Sequence, residues 1–141
     1  MRAPYTETMI QRALIAAITC YSIGVAAAAA QAPTRTTNDG VYTAEQAARG
    51  KAVFESKCTA CHEPSRFTGE PFYEAFNEKP MKEIWDIASG TMPEDNPGSL
   101  KQQEYGDILA YFLSLNEFKT GDAELQGNAA AMAAIKIEKK K

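Results

Sequence analysis

Histidine occurs once in this chain of 141 residues, at position 62, and cysteine three times, at 20, 58 and 61. That scarcity excludes a closed structural zinc site, which takes four Cys or His ligands. Net charge is small too. The formal net charge of -3 is too weak to mark a nucleic-acid binder. No stretch alternates apolar and polar residues as a half-buried strand does, and no segment repeats, so an all-α chain is expected. Beyond residue 30 there is no apolar run long enough to cross a bilayer.

The first thirty residues differ in kind from the rest. Arg2 and Arg12 precede an apolar run from Ala13 to Ala30, which ends in the small residues Ala28, Ala29 and Ala30. This is the pattern of a secretory signal peptide over 1–30, with Gln31 as the new N-terminus. An uncleaved membrane anchor is the alternative, because the run approaches the ~20 residues that span a bilayer. Cys20 as a lipid-bearing residue fits less well, because Thr19 stands where a smaller residue is expected and apolar sequence continues after it. Secretion would place the mature chain in an oxidising compartment, so a periplasmic protein that does not span the membrane is expected. Residues 31–40 read as a flexible leader, 41–127 as the folded domain, and 128–141 as an Ala/Lys-rich tail, either a frayed helix or solvated.

Thr43 followed by Gln46 predicts a capping box at the start of a helix through "AEQAARGKAVFESK". Gly50 interrupts it at a cost of about 1 kcal/mol against Ala, which close approach of another backbone would explain. A second helix is expected from Pro80 or Met81 to Ala88 with Gly90 as its stop, and a helical turn over 73–77. "TMPEDNPGS" must be a loop. Ser99, with Gln102, opens the clearest helix, on which Tyr105, Ile108, Leu109, Phe112 and Leu115 share a face.

Cys58, Cys61 and His62 stand within five positions. A thiol redox pair belongs beside a strand–helix unit, which is absent, and an ordinary disulfide leaves His62 unexplained. Cys-x-x-Cys-His is also the pattern of covalent haem attachment. Two thiols add across the two vinyl groups of one haem, and the adjacent imidazole becomes the proximal iron ligand. A sixth ligand is then needed, and methionine is usual in electron carriers. Met92 lies in the non-helical loop before Pro93, where it can cross the other haem face. Met81 begins an amphipathic helix and suits core packing.

From about Val41 to Leu125 the chain resembles the class I c-type cytochromes. Gly50, Phe54 and Cys58 stand at that family's Gly-xxx-Phe-xxx-Cys spacing, "DILAYFL" resembles its C-terminal helix, and "GTMPEDNPGSL" resembles the Met loop of small bacterial members. The resemblance implies a small cytochrome c fold, with N- and C-terminal helices crossing and loops wrapped around one covalently bound haem c. It implies that Tyr111 packs on the first helix at Gly50. It puts Trp85 where an aromatic reaches a haem propionate, with a core role as the alternative. It makes Pro71 the residue whose carbonyl accepts a hydrogen bond from His62. Here Glu70 separates Gly69 from Pro71, and Pro64 is the other candidate.

Two functions follow. One is a periplasmic one-electron carrier, not an enzyme, whose iron is closed by His62 and Met92. Its donor would be a periplasmic dehydrogenase, and an oxidase or another cytochrome of the respiratory chain its acceptor. The other is a haem-based peroxidase or gas sensor in which Met92 is displaced, with Glu94 or Asp95 available for proton transfer. Lys51, Lys57, Lys79, Lys82 and Lys101 either ring the haem edge to meet an acidic partner or are ordinary solvated charges.

Overall fold

The computed structural model describes residues 33–140, so the expected signal segment lies outside the described residues. Its frame is a pair of packed helices. Helix α1 spans Ala44–Lys57, as the sequence predicts, and starts where the Thr43 side chain accepts from the Gln46 N–H at 3.1 Å. The expected capping box is only half formed. The Gln46 side chain is fully buried and turned inward, pairing with both the N–H and the carbonyl of Leu125 at 2.7 and 2.8 Å.

Helix α4 (Gln102–Leu115) packs along α1 in the most extensive helix contact of the fold. A Cβ on Gly50 would stand 1.8 Å from the Asp107 carbonyl oxygen, so only glycine permits this approach. Asp107, and not Tyr111, is therefore what Gly50 faces. Tyr111 packs one turn further on, against Phe54, with ring centroids 5.6 Å apart. Asp107 is itself buried and accepts from Gln46, Arg49 and Gln103 at 3.0–3.3 Å, which satisfies a charge that would otherwise be costly. Hydrogen bonds to Asp107 and then to Glu124 hold the Arg49 guanidinium above its ordinary pKa.

Helix α4 starts two residues later than the sequence suggests, with Lys101 and not Ser99 as its cap. Ser99 is still part of the preceding loop, its N–H donating to the Asn96 carbonyl, and the Glu104 carboxylate caps the Lys101 N–H at 2.7 Å. Between α1 and α4 lie α2 (Glu70–Phe76) and α3 (Lys82–Thr91). Helix α3 continues through Gly90, which has open space around it. Its stop is Met92, held extended at φ -118° and ψ 151°, the conformation a following proline imposes.

Both termini depart from expectation. Arg35–Thr36 (β1) pairs in parallel with Ile135–Lys136 (β2), a 3-10 turn follows at Thr37–Asp39, and Ala129–Ala133 forms α5. Thr37 is buried and exchanges two 3.1 Å hydrogen bonds with the backbone of Glu138. Met132, Ile135 and Ile137 are buried, and Ile135 and Ile137 bond to the backbone of Met81, Lys79 and Glu78 at 2.8 Å. The leader is thus not flexible over 35–40, and the tail is not solvated. Three large apolar side chains account for this, each worth about 1.5–3 kcal/mol when buried. The domain accordingly extends beyond 41–127 at both ends. With five helices and two two-residue strands among the described residues, the architecture is all-α in class. Among the described residues no helix is long and apolar enough to cross a membrane.

Candidate cofactor site

At the end of α1 the chain makes one further tight turn. The Cys58 carbonyl accepts from the N–H groups of both Cys61 and His62, at 3.1 and 2.9 Å. This local geometry brings two thiols and an imidazole to one wall of a cavity of about 740 Å³. A 3-10 turn at Pro64–Phe67 then sets Phe67 edge-on to the His62 ring and flat against Phe112, with centroids 5.7 and 4.2 Å apart. Phe54, Ile84, Ile108 and Phe112 supply apolar lining, and Met92 joins Cys58, Cys61 and His62 around the same space.

This donor set suits a covalently held haem. The volume falls within the roughly 300–1,000 Å³ of cofactor pockets, and the polar atoms are few. The His62 Nδ1 is buried without a hydrogen-bond partner, an arrangement that costs free energy in a purely structural histidine. Cys58 is half-buried and Cys61 exposed; burial pushes the Cys58 thiol above its ordinary pKa. Among the described residues no group of three or more His, Cys, Asp or Glu could hold a metal ion.

Several of the expected residues lie away from the cavity lining. Pro71 is exposed in α2 and does not line the cavity, while the Pro64 carbonyl accepts from the Thr68 hydroxyl at 3.0 Å. Neither proline satisfies His62. Trp85 is buried edge-on against Tyr105, with centroids 6.0 Å apart, and is not part of the cavity lining; α3 points it into the core, its alternative role. Met81 is buried away from the cavity, as a core residue.

The lysine ring does not form. Lys51, Lys79 and Lys82 pair with Glu55, Glu83 and Asp86, each four residues on, and only Lys57 lines the cavity, alongside Glu94 and Asp95. Ile87 also lines it and is 52% exposed, alone among the large hydrophobics of the described residues.

One residue with a part in the site was visible in the sequence only as a member of a helix face. Tyr105 lines the cavity, and its hydroxyl donates to the Met92 carbonyl at 2.7 Å. A tyrosine on a buried face needs a partner for its hydroxyl, which was the available signal.

These features define the class. Residues 45–112, from the first turn of α1 to Phe112 in α4, match the family described as cytochrome c oxidase, cbb3-type, subunit III. The chain therefore carries a c-type cytochrome domain, and that domain implies covalently bound haem c and redox protein partners. The matched span includes Cys58, Cys61, His62 and Met92, and excludes both terminal segments. No curated protein and no solved structure matches the chain.

Proposed function

We propose that this protein is a periplasmic one-electron carrier holding a single haem c, with Cys58 and Cys61 as thioether attachments and His62 and Met92 as axial ligands. The observation that carries this reading is that two thiols, an imidazole and a thioether meet around one largely apolar cavity. When bound, the haem supplies a one-electron iron couple. The chain's own residues hold it and exclude water. Phe54, Phe67 and Phe112 make the surroundings apolar, which with methionine ligation favours the reduced iron and raises the potential. With both axial positions taken by side chains, no coordination site is left for a substrate, so the carrier turns over nothing by itself. The electron comes from one redox protein, such as a periplasmic dehydrogenase, and passes to another on the way to the respiratory chain. Transient contacts of this kind are small, and the exposed Ile87 with Glu94 and Asp95 at the cavity favours a partner with a basic rim.

Intact-mass analysis of the secreted form tests the assignment: a chain beginning at Gln31 and carrying the mass of one haem is expected. A mass without haem, or a retained N-terminal segment, counts against it. Glu94 and Asp95, lining the cavity beside Met92, favour a second reading, a peroxidase or gas sensor in which Met92 leaves the iron. Carbon monoxide binding by the reduced wild type, or rapid peroxide turnover, would select it over the carrier.

A further inference from the structure

We infer that Tyr105 is a positioning residue that fastens the Met92 loop and so keeps Met92 in place; this rests on the proposed reading of Met92 as an axial ligand. The segment from Met92 to Leu100 holds six exposed residues in a row at 94–99, and two prolines. It has only short-range backbone bonds of its own: Asn96 to Pro93, Ser99 to Asn96, and Gly98 to Met92, at 3.0–3.3 Å. The loop is tied to the body of the protein by the Met92 N–H, which donates to the Ala88 carbonyl at 3.1 Å, and by one phenol. The Tyr105 hydroxyl donates to the Met92 carbonyl at 2.7 Å and accepts from the Leu100 N–H at 3.4 Å. A single oxygen thereby closes both ends of the loop.

The phenol is well placed to act as a fixed post. Tyr105 is 1% exposed. It stands in the first turns of α4, and its ring is braced edge-on by Trp85 of α3, the helix that ends at Met92. The post therefore sits on one helix, leans on the second, and grips the residue at which the second ends. The Met92 carbonyl accepts two hydrogen bonds, from Tyr105 and from Gly98; the Gly98 bond is internal to the loop and moves with it. The Met92 N–H, bonded to the Ala88 carbonyl at 3.1 Å, and the Tyr105 bond both resist displacement of Met92, and of the two only the Tyr105 bond comes from outside α3.

The test is competition for the sixth position by added imidazole, read on the oxidised holoprotein by loss of the Met–iron(III) band at the red edge of the visible spectrum. Tyr105→Phe deletes the hydroxyl and keeps the ring. Imidazole is expected to bind this variant roughly 3–10-fold more tightly than wild type, as follows from losing one hydrogen bond that opposes loop opening. Tyr111→Phe is the control: it removes a hydroxyl from the same helix and should leave the affinity unchanged. Equal imidazole affinity in wild type and Tyr105→Phe, or an equal gain in Tyr111→Phe, would overturn the proposal and leave the ligand reading standing. A wild type without the Met–iron band, or a Met92→Ala variant that keeps it, would overturn the ligand reading and this proposal with it. Should Tyr105→Phe fail to accumulate, amide exchange on the wild type decides. The Leu100 amide, bonded to the phenol, is expected to be protected and to lose that protection when imidazole is added; its retention would overturn the proposal.

Discussion

The two ligand-bearing walls of the cavity are built in opposite ways. The Cys58–His62 wall is local: one turn of chain closed by two bonds to the Cys58 carbonyl, with the His62 Nδ1 left unpartnered. The Met92 wall is tertiary: its position depends on where α3 ends, on Pro93, and on a hydroxyl reaching from α4. The lesson is a division of labour. Covalent attachment would anchor the haem at the first wall, so that wall needs little support from the protein. The second wall makes no covalent link, and the fold must pre-form it.

The largest expected effect comes from breaking the covalent wall. The double variant Cys58→Ala, Cys61→Ala is expected to lose the haem adduct completely in intact-mass spectra. The chain should also be far less stable, because an open cavity of about 740 Å³ would then stand where the haem completes the core.

Breaking the second wall should alter the iron and spare attachment. Met92→Ala is expected to keep the haem mass, lower the midpoint potential, and admit carbon monoxide to the reduced iron. Met81→Ala should leave the spectrum unchanged while costing about 2–5 kcal/mol in unfolding, as a buried truncation does. Loss of the Met–iron band in Met81→Ala, with its retention in Met92→Ala, would exchange their roles.

A third variant asks whether the terminal clasp supports the second wall or only the fold. Ile137 is fully buried, and its backbone bonds to Glu78 and Lys79, just ahead of α3. Ile137→Ala is expected to cost about 2–5 kcal/mol by thermal unfolding with an unchanged Met–iron band. A weakened band would extend the support of Met92 to the C-terminus.

The smallest effect lies within the first wall. In the haem-free chain Cys61 should be alkylated faster than Cys58, because Cys61 is exposed, whereas burial raises the Cys58 pKa and leaves less thiolate at a given pH. The difference should narrow as pH rises through the raised Cys58 value and the Cys58 thiol ionises. Peptide mapping after brief alkylation at several pH values measures it. Equal rates near neutral pH would mean that this wall is open before the haem is attached.

How much was legible follows the same division. Helix α1 could be read to the residue, because Thr43 caps it. The Cys58–Cys61–His62 cluster announced its own chemistry, since all its members lie within one turn. Gly50 signalled a close backbone approach, but not that Asp107 would make it. The ends of the domain were misread, because an Ala-rich, Lys-ended stretch resembles a solvated tail until Ile135 and Ile137 are seen to meet residues 78–81. Pro71 and Trp85 were placed by resemblance, and neither lines the cavity.

The sequence by itself determined the helices, the class of cofactor implied by two thiols and one imidazole at fixed spacing, and Met92 as the candidate opposite number. Each of these rests on caps, periodicities and motifs that act over a few residues. Only the tertiary structure decided that Tyr105 would hold Met92 across 13 positions, and that Thr37 would meet Glu138 across 101. Such pairings arise because a buried hydroxyl or backbone group must find a partner, and which partner lies within reach is set by how the helices cross.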